Sequence, residues 1–101
     1  MIIHSVYFWL DSSITAQQCE LFENELALLG KIESVNRASY GKPSSTDRPV
    51  VERSYDYALV LEFESIADHD RYQVDPAHLD FINRCQSLWS QIKIFDVDTA
   101  L

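Results

Sequence analysis

The 101 residues carry eight Lys and Arg against sixteen Asp and Glu, a formal charge of -8. That sign is wrong for neutralising phosphates or an anionic bilayer, so nucleic acid and membrane surfaces are not expected partners. With 47% apolar residues, 2 Gly and 3 Pro, the composition is that of one compact soluble domain spanning residues 1–101. A chain of this size buries roughly 65% of its unfolded surface, a modest core that self-association would support.

The opening Met1-Ile2-Ile3-His4-Ser5 has no basic segment, and His4 interrupts its short apolar run. Neither a signal peptide nor a membrane span is expected, which points to the cytoplasm. Cys19 and Cys85 lack zinc or redox spacing and read as two buried free thiols.

In chain order, Ile2 to Leu10 reads as a strand buried on both faces, with Ile2, Val6, Phe8 and Leu10 on one and Ile3, Tyr7 and Trp9 on the other. Thr15 and Gln18 form a capping box, with Ile14 and Cys19 placed for a hydrophobic staple. The helix they open carries Cys19, Phe22, Leu26 and Leu29 inward, leaves Glu20, Glu23 and Asn24 to solvent, and ends where Gly30 suits a left-handed cap. A polar edge strand is expected over about Ser34 to Lys42, then a surface loop from Pro43 to Arg53. Tyr55, Tyr57, Leu59, Leu61 and Phe63 alternate with Asp56, Ala58, Val60, Glu62 and Glu64, a long central strand.

Ser65 and Asp68 open a short helix to about Val74, which Pro76 interrupts, and Asp75 becomes the N-cap of the next. There His78, Phe81, Cys85, Trp89 and Ile92 form one inward helical stripe, and Lys93 to Val97 makes a last strand. The order β, α, β, β, broken α, β predicts an α+β, ferredoxin-like split βαβ subunit with a four-stranded antiparallel sheet. Its uncovered face would expose Ile3, Tyr7, Trp9, Ala58, Val60, Phe95 and Val97 as a patch too large for a monomer. Two sheets packed face to face in a homodimer resolve this.

His4-x-Val6-x-Phe8, Leu61-Glu62-Phe63-Glu64-Ser65, the run from Tyr72 to Phe81 with its Tyr-x-x-x-Pro-x-His-x-x-Phe spacing, and Trp89 followed by Ile94-Phe95-Asp96 resemble the stress-responsive dimeric α/β barrel (Dabb) family. The resemblance implies a dimer whose two sheets close a barrel. It also implies, from a cofactor-free cyclase of the family that performs an intramolecular aldol condensation, a catalytic His78 and Tyr72 and a first-strand His4. Pocket positions carried over with them are Val6, Phe8, Phe22, Leu26, Leu59, Leu61, Phe81, Trp89, Ile92 and Ile94. Leu26 departs from the cyclase, which has a further Tyr there.

The residues themselves fit such chemistry. His78 in a first helical turn stays neutral beside unpaired N–H groups, and a neutral imidazole in an apolar site is a competent base near pH 7. Tyr72, across the Pro76 break, is placed to donate to a developing enolate oxygen. The simpler alternative is a core histidine bonded to a backbone carbonyl. His4 reads either as a second polar pocket group or as a satisfied strand histidine, and His69 as solvent-facing without a role. No metal site is expected, because the three histidines lack helical ligand spacing, and no cofactor is expected either. An acidic cluster of Glu62, Glu64, Asp96 and Asp98 reads as solvated rather than catalytic. The two functions left standing are a small-molecule pocket, of cyclase or lyase type, and a non-catalytic dimeric stress-associated interaction module.

Overall fold

The computed structural model describes residues 1–100. Its elements are β1 (Ile2–Leu10), α1 (Ala16–Leu29), β2 (Arg37–Gly41), β3 (Tyr57–Phe63), α2 (Ile66–Val74), α3 (Pro76–Cys85), a 3-10 turn at Gln86–Leu88, and β4 (Trp89–Asp98). The sheet is antiparallel throughout, in the order β2-β3-β1-β4. This is the ferredoxin-like α+β arrangement, with β1 and β3 central and the shorter, fully exposed β2 at one edge.

The local signals account for the helix starts. Thr15 Oγ1 accepts from the Gln18 N–H while Gln18 Oε1 accepts from the Thr15 N–H, so two otherwise unpaired donors are satisfied. Ser65 caps α2 through the Asp68 N–H. Asp75, held extended at ψ 134° before Pro76, ends α2 and caps α3 through the Ala77 N–H. That break turns the chain so that α2 and α3 both lie over the sheet.

Alternation buries the helix-facing residues Ile2, His4, Val6 and Phe8 of β1 and Tyr57, Leu59, Leu61 and Phe63 of β3. Phe22 and Leu26 of α1 close over them with no exposed surface. Phe22 meets Phe8 edge to face with ring centroids 5.0 Å apart. Each such side chain contributes about 1.5–3 kcal/mol by leaving water.

Four sequence expectations are corrected. Gly30 is right-handed, at φ -65°; glycine is needed because a Cβ there would sit 2.7 Å from the Ala38 Cβ. The helical stripe does not run to Ile92: α3 stops at Cys85, and Trp89 and Ile92 stand on β4. The β1–β4 register passes from Trp9↔Gln91 to Leu10↔Trp89, which leaves Ser90 as an extra residue. This bulge puts Trp89 and Ile92 on one face although they are three apart, the spacing a helix would also give. The acidic cluster does not assemble, because β1 lies between the strands that carry Glu62 and Asp96. Cys19 is only half-buried, whereas Cys85 is buried, and both are free.

One polar tie was not foreseen. Glu25, 7% exposed within the inward stripe of α1, accepts two hydrogen bonds from Arg84 of α3 at 3.0 and 2.8 Å. A carboxylate at that position needs such a bidentate partner to be buried at all. On the opposite face of the sheet Ile3, Tyr7, Trp9, Ala58 and Val60 are half-buried, and Phe95 and Val97 are exposed. Among the described residues no helix is long and apolar enough to cross a membrane.

Candidate active site

A cavity of about 190 Å³ lies between the sheet and α2–α3, lined by His4, Val6, Phe8, Leu29, Leu59, Tyr72, Gln73, His78, Phe81, Ile82, Ile92 and Ile94. Its floor is the alternate positions of β1, β3 and β4, and the Pro76 break supplies its polar wall. Tyr72 comes from the last turn of α2 and His78 from the first turn of α3. Their rings are tilted by 46° with centroids 4.6 Å apart.

His78 Nδ1 lies 3.1 Å from the backbone carbonyl oxygen of Gln73. A carbonyl only accepts, so Nδ1 carries the proton and Nε2 keeps its lone pair. Burial holds the His78 imidazole below its ordinary pKa against the opposing pull of the Gln73 carbonyl. Tyr72 is 1% exposed, and burial raises its phenol above the ordinary range, so it stays a proton donor at neutral pH. Its hydroxyl has no hydrogen-bond partner among the described residues. The pair therefore sets a neutral base beside an unengaged O–H donor against an apolar wall.

His4 also lines the cavity. Its Nδ1 lies 2.5 Å from Asp96 Oδ1, its pairing partner on β4. Burial lowers its pKa, opposed by Asp96. His69 is not solvent-facing as the helix pattern suggested. It is 9% exposed and packs edge to face on His4 at 5.1 Å, because α2 turns this residue onto the sheet. Ligand atoms of His4, His69 and Asp96 all lie within 4.8 Å of one another, the one group of possible metal ligands among the described residues.

The other expected pocket positions fall outside the lining. Phe22, Leu26 and Leu61 are fully buried core residues, and Trp89 stacks on Phe81 at 5.8 Å behind the cavity wall. Leu29, Gln73 and Ile82 line it unforeseen. Gln73 was legible only as a residue facing the helix break; Leu29 and Ile82 carry ordinary core signals. Cys85 offers no nucleophile, since burial pushes its thiol up to about 11.

His4 and His78 both have folded pKa values below 6.5. The unfolded chain therefore binds protons that the folded chain refuses, so stability is full above about pH 6.5 and falls as the pH drops through that value. Urea midpoints at about pH 7.5 and pH 5.5 are expected to show the loss, and His78→Gln to reduce it. An equal midpoint at both pH values would contradict the burial of neutral imidazoles.

With this geometry in place, comparison with known proteins is decisive for the family. The model of the Stress responsive A/B Barrel Domain, Dabb, matches residues 2–99. The chain belongs to this family. Olivetolic acid cyclase of Cannabis sativa is 28% identical over 86 residues, 85% of this Dabb chain and 83% of the cyclase. Among solved structures, a Dabb protein of ferredoxin-like fold from Mesorhizobium loti superposes with a TM-score of 0.80 at 20% identity, covering 99% of this chain and 97% of that one. The hydroxynitrile lyase of Passiflora edulis gives 0.80 at 17% identity over 99% and 95% of the two chains. A dimeric ferredoxin-like protein of Thermobifida fusca gives 0.77 at 20% identity over 95% and 88%. At these identities the structural likenesses establish the fold and no reaction.

Proposed function

We propose that this Dabb protein acts as a homodimer that binds a small apolar carbonyl compound in the cavity between helices and sheet. There, without a cofactor, it moves a proton at the carbon next to the carbonyl. The observation that carries the reading is the Tyr72–His78 pair, 4.6 Å apart on an apolar cavity, with the base's tautomer set by the Gln73 carbonyl. His78 Nε2 takes the proton, and the Tyr72 hydroxyl donates to the enolate oxygen as charge develops there. His4, Val6, Phe8, Leu59, Phe81, Ile92 and Ile94 shape the pocket around them.

Cavity size limits the substrate. An apolar cavity of about 150 Å³ accepts benzene, so one of about 190 Å³ suits a single ring or short chain with few substituents. A base able to take a proton from a carbon acid or a hydroxyl suits the cyclase and lyase activities named for two of the relatives. Dimerisation is supported by the exposed apolar sheet face and by solved neighbours described as dimeric. The net charge of -8 argues against nucleic acid or membrane as a partner, and a cytoplasmic location accords with this reading.

Thermal unfolding tests it, with short β-keto acids, hydroxylated aromatic acids and short polyketide mimics added in turn. A binder at a hundred times its Kd stabilises by about 2.7 kcal/mol, a rise on the order of 10 °C. The expected result is such a rise in the wild type, lost in His78→Ala. If nothing shifts the wild type and His78→Ala melts several degrees lower, His78 is a core residue. The dimeric interaction module is then the better reading.

A further inference from the structure

The fold gathers one group of side chains to which the proton-transfer reading gives no chemical step. His69 reaches it from α2, Asp96 from β4 and His4 from β1, so three separate elements position it. Asp96 contacts both imidazoles: Oδ1 is 2.5 Å from His4 Nδ1 and Oδ2 is 3.7 Å from His69 Nε2. Both histidines are buried, at 3% and 9% exposure, while the Asp96 side chain is 46% exposed and opens the group to solvent.

The protonation pattern around His69 is that of a ligand. Its Nδ1 lies 3.2 Å from Asp70 Oδ1, and a carboxylate accepts, so the neutral ring carries its proton on Nδ1. Its Nε2 lone pair then points toward Asp96 and the Gln73 amide, which donates to it at 3.2 Å. A carboxylate that fixes the far nitrogen of an imidazole is the usual outer support of a metal-bound histidine. The single proton of the neutral His4 ring lies on Nδ1, toward Asp96, and a cation can take that place as the ring passes to its Nε2–H tautomer.

We propose that His4, His69 and Asp96 bind a divalent transition-metal cation, zinc foremost. Two imidazole nitrogens and one carboxylate form a zinc donor set that leaves a fourth position for water or a ligand oxygen. Tetrahedral ligation at 2.0–2.1 Å separates donor atoms by about 3.4 Å. The two separations to Asp96, 2.5 and 3.7 Å, bracket that value, and all three donor atoms lie within 4.8 Å of one another. Side-chain rotation of the half-exposed Asp96 adjusts both carboxylate separations without moving the sheet. Since His4 also lines the cavity, the cation would sit beside the proposed substrate pocket.

The test uses tag-free protein stripped with a chelator and titrated with cobalt(II), then with zinc. One equivalent per chain is expected to bind with the visible ligand-field bands of tetrahedral cobalt, and zinc to displace it. Asp96→Asn and His69→Gln are expected to weaken binding about tenfold or more, with metal-free unfolding midpoints close to wild type. His78→Gln is expected to bind cobalt as the wild type does, which separates this site from the proton-transfer pair. Should His69→Gln fail to fold, Asp96→Asn at the exposed rim decides. The absence of saturable one-equivalent binding, or affinity unchanged in Asp96→Asn, overturns the proposal.

Discussion

His78→Gln is expected to lower the rate of proton exchange at a bound carbonyl compound by about 10²–10⁴-fold while leaving the fold intact. The substitution removes the only basic nitrogen of residue 78 but keeps an amide that can donate to the Gln73 carbonyl, the partner now held at 3.1 Å. A residue of purely structural importance would behave in the opposite way. It would move no rate in His78→Gln, and only His78→Ala, which leaves that carbonyl without its donor, would cost stability, about 1–3 kcal/mol. Deuterium uptake from heavy water next to the carbonyl of a short β-keto acid, followed by NMR against buffer alone, reads the rate. Tyr72→Phe in the same assay should lose about 10²–10³-fold, the usual effect of deleting one donor to a developing oxyanion. Equal exchange in wild type and His78→Gln would remove His78 from the chemistry.

The second large effect is on assembly. Phe95 is 56% exposed on the uncovered sheet face, edge on to Tyr7 at 6.0 Å and two residues from the equally outward Val97. In a face-to-face dimer this side chain is buried, so Phe95→Asp places an unpaired carboxylate there. The cost, on the order of 3 kcal/mol, weakens dimerisation about a hundredfold. Sedimentation velocity is expected to show a dimeric wild type and a folded monomeric variant at the same concentration. The helix-side core is untouched, so far-UV circular dichroism should be unchanged. A variant that remains dimeric would place the interface elsewhere on the chain.

The sequence was informative wherever one local pattern had one structural meaning. Strict alternation from Tyr57 to Phe63, the Thr15–Gln18 box and the Asp75–Pro76 break each specified an element that the structure contains. The Tyr72 and His78 juxtaposition was also within reach, because a proline break brings the end of one helix beside the start of the next. Legibility failed where tertiary structure gave a local pattern a second meaning. Trp89 and Ile92 are spaced like a helical stripe, but a bulge at Ser90 produces the same facing on a strand. His69 lies in a polar stretch, Asp68-His69-Asp70, and only the docking of α2 on β1 and β3 buries it. The His4–Asp96 pair spans 92 positions and exists because β1 and β4 are neighbours in the sheet. Phe22, Leu26 and Leu61 were placed in the pocket by resemblance, whereas they are fully buried core residues outside its lining.

In the proposed function His78 is held neutral, with Nε2 free, against a cavity that receives a ligand. Nitrogen-15 NMR of the imidazoles from about pH 5 to 8 measures this most directly, with and without a bound β-keto acid or hydroxylated aromatic acid. His78 is expected to be the Nδ1–H tautomer at neutral pH, to titrate below 6.5, and to shift at Nε2 when the ligand is added. An Nε2–H tautomer, or an Nε2 resonance indifferent to every ligand that binds, would contradict it.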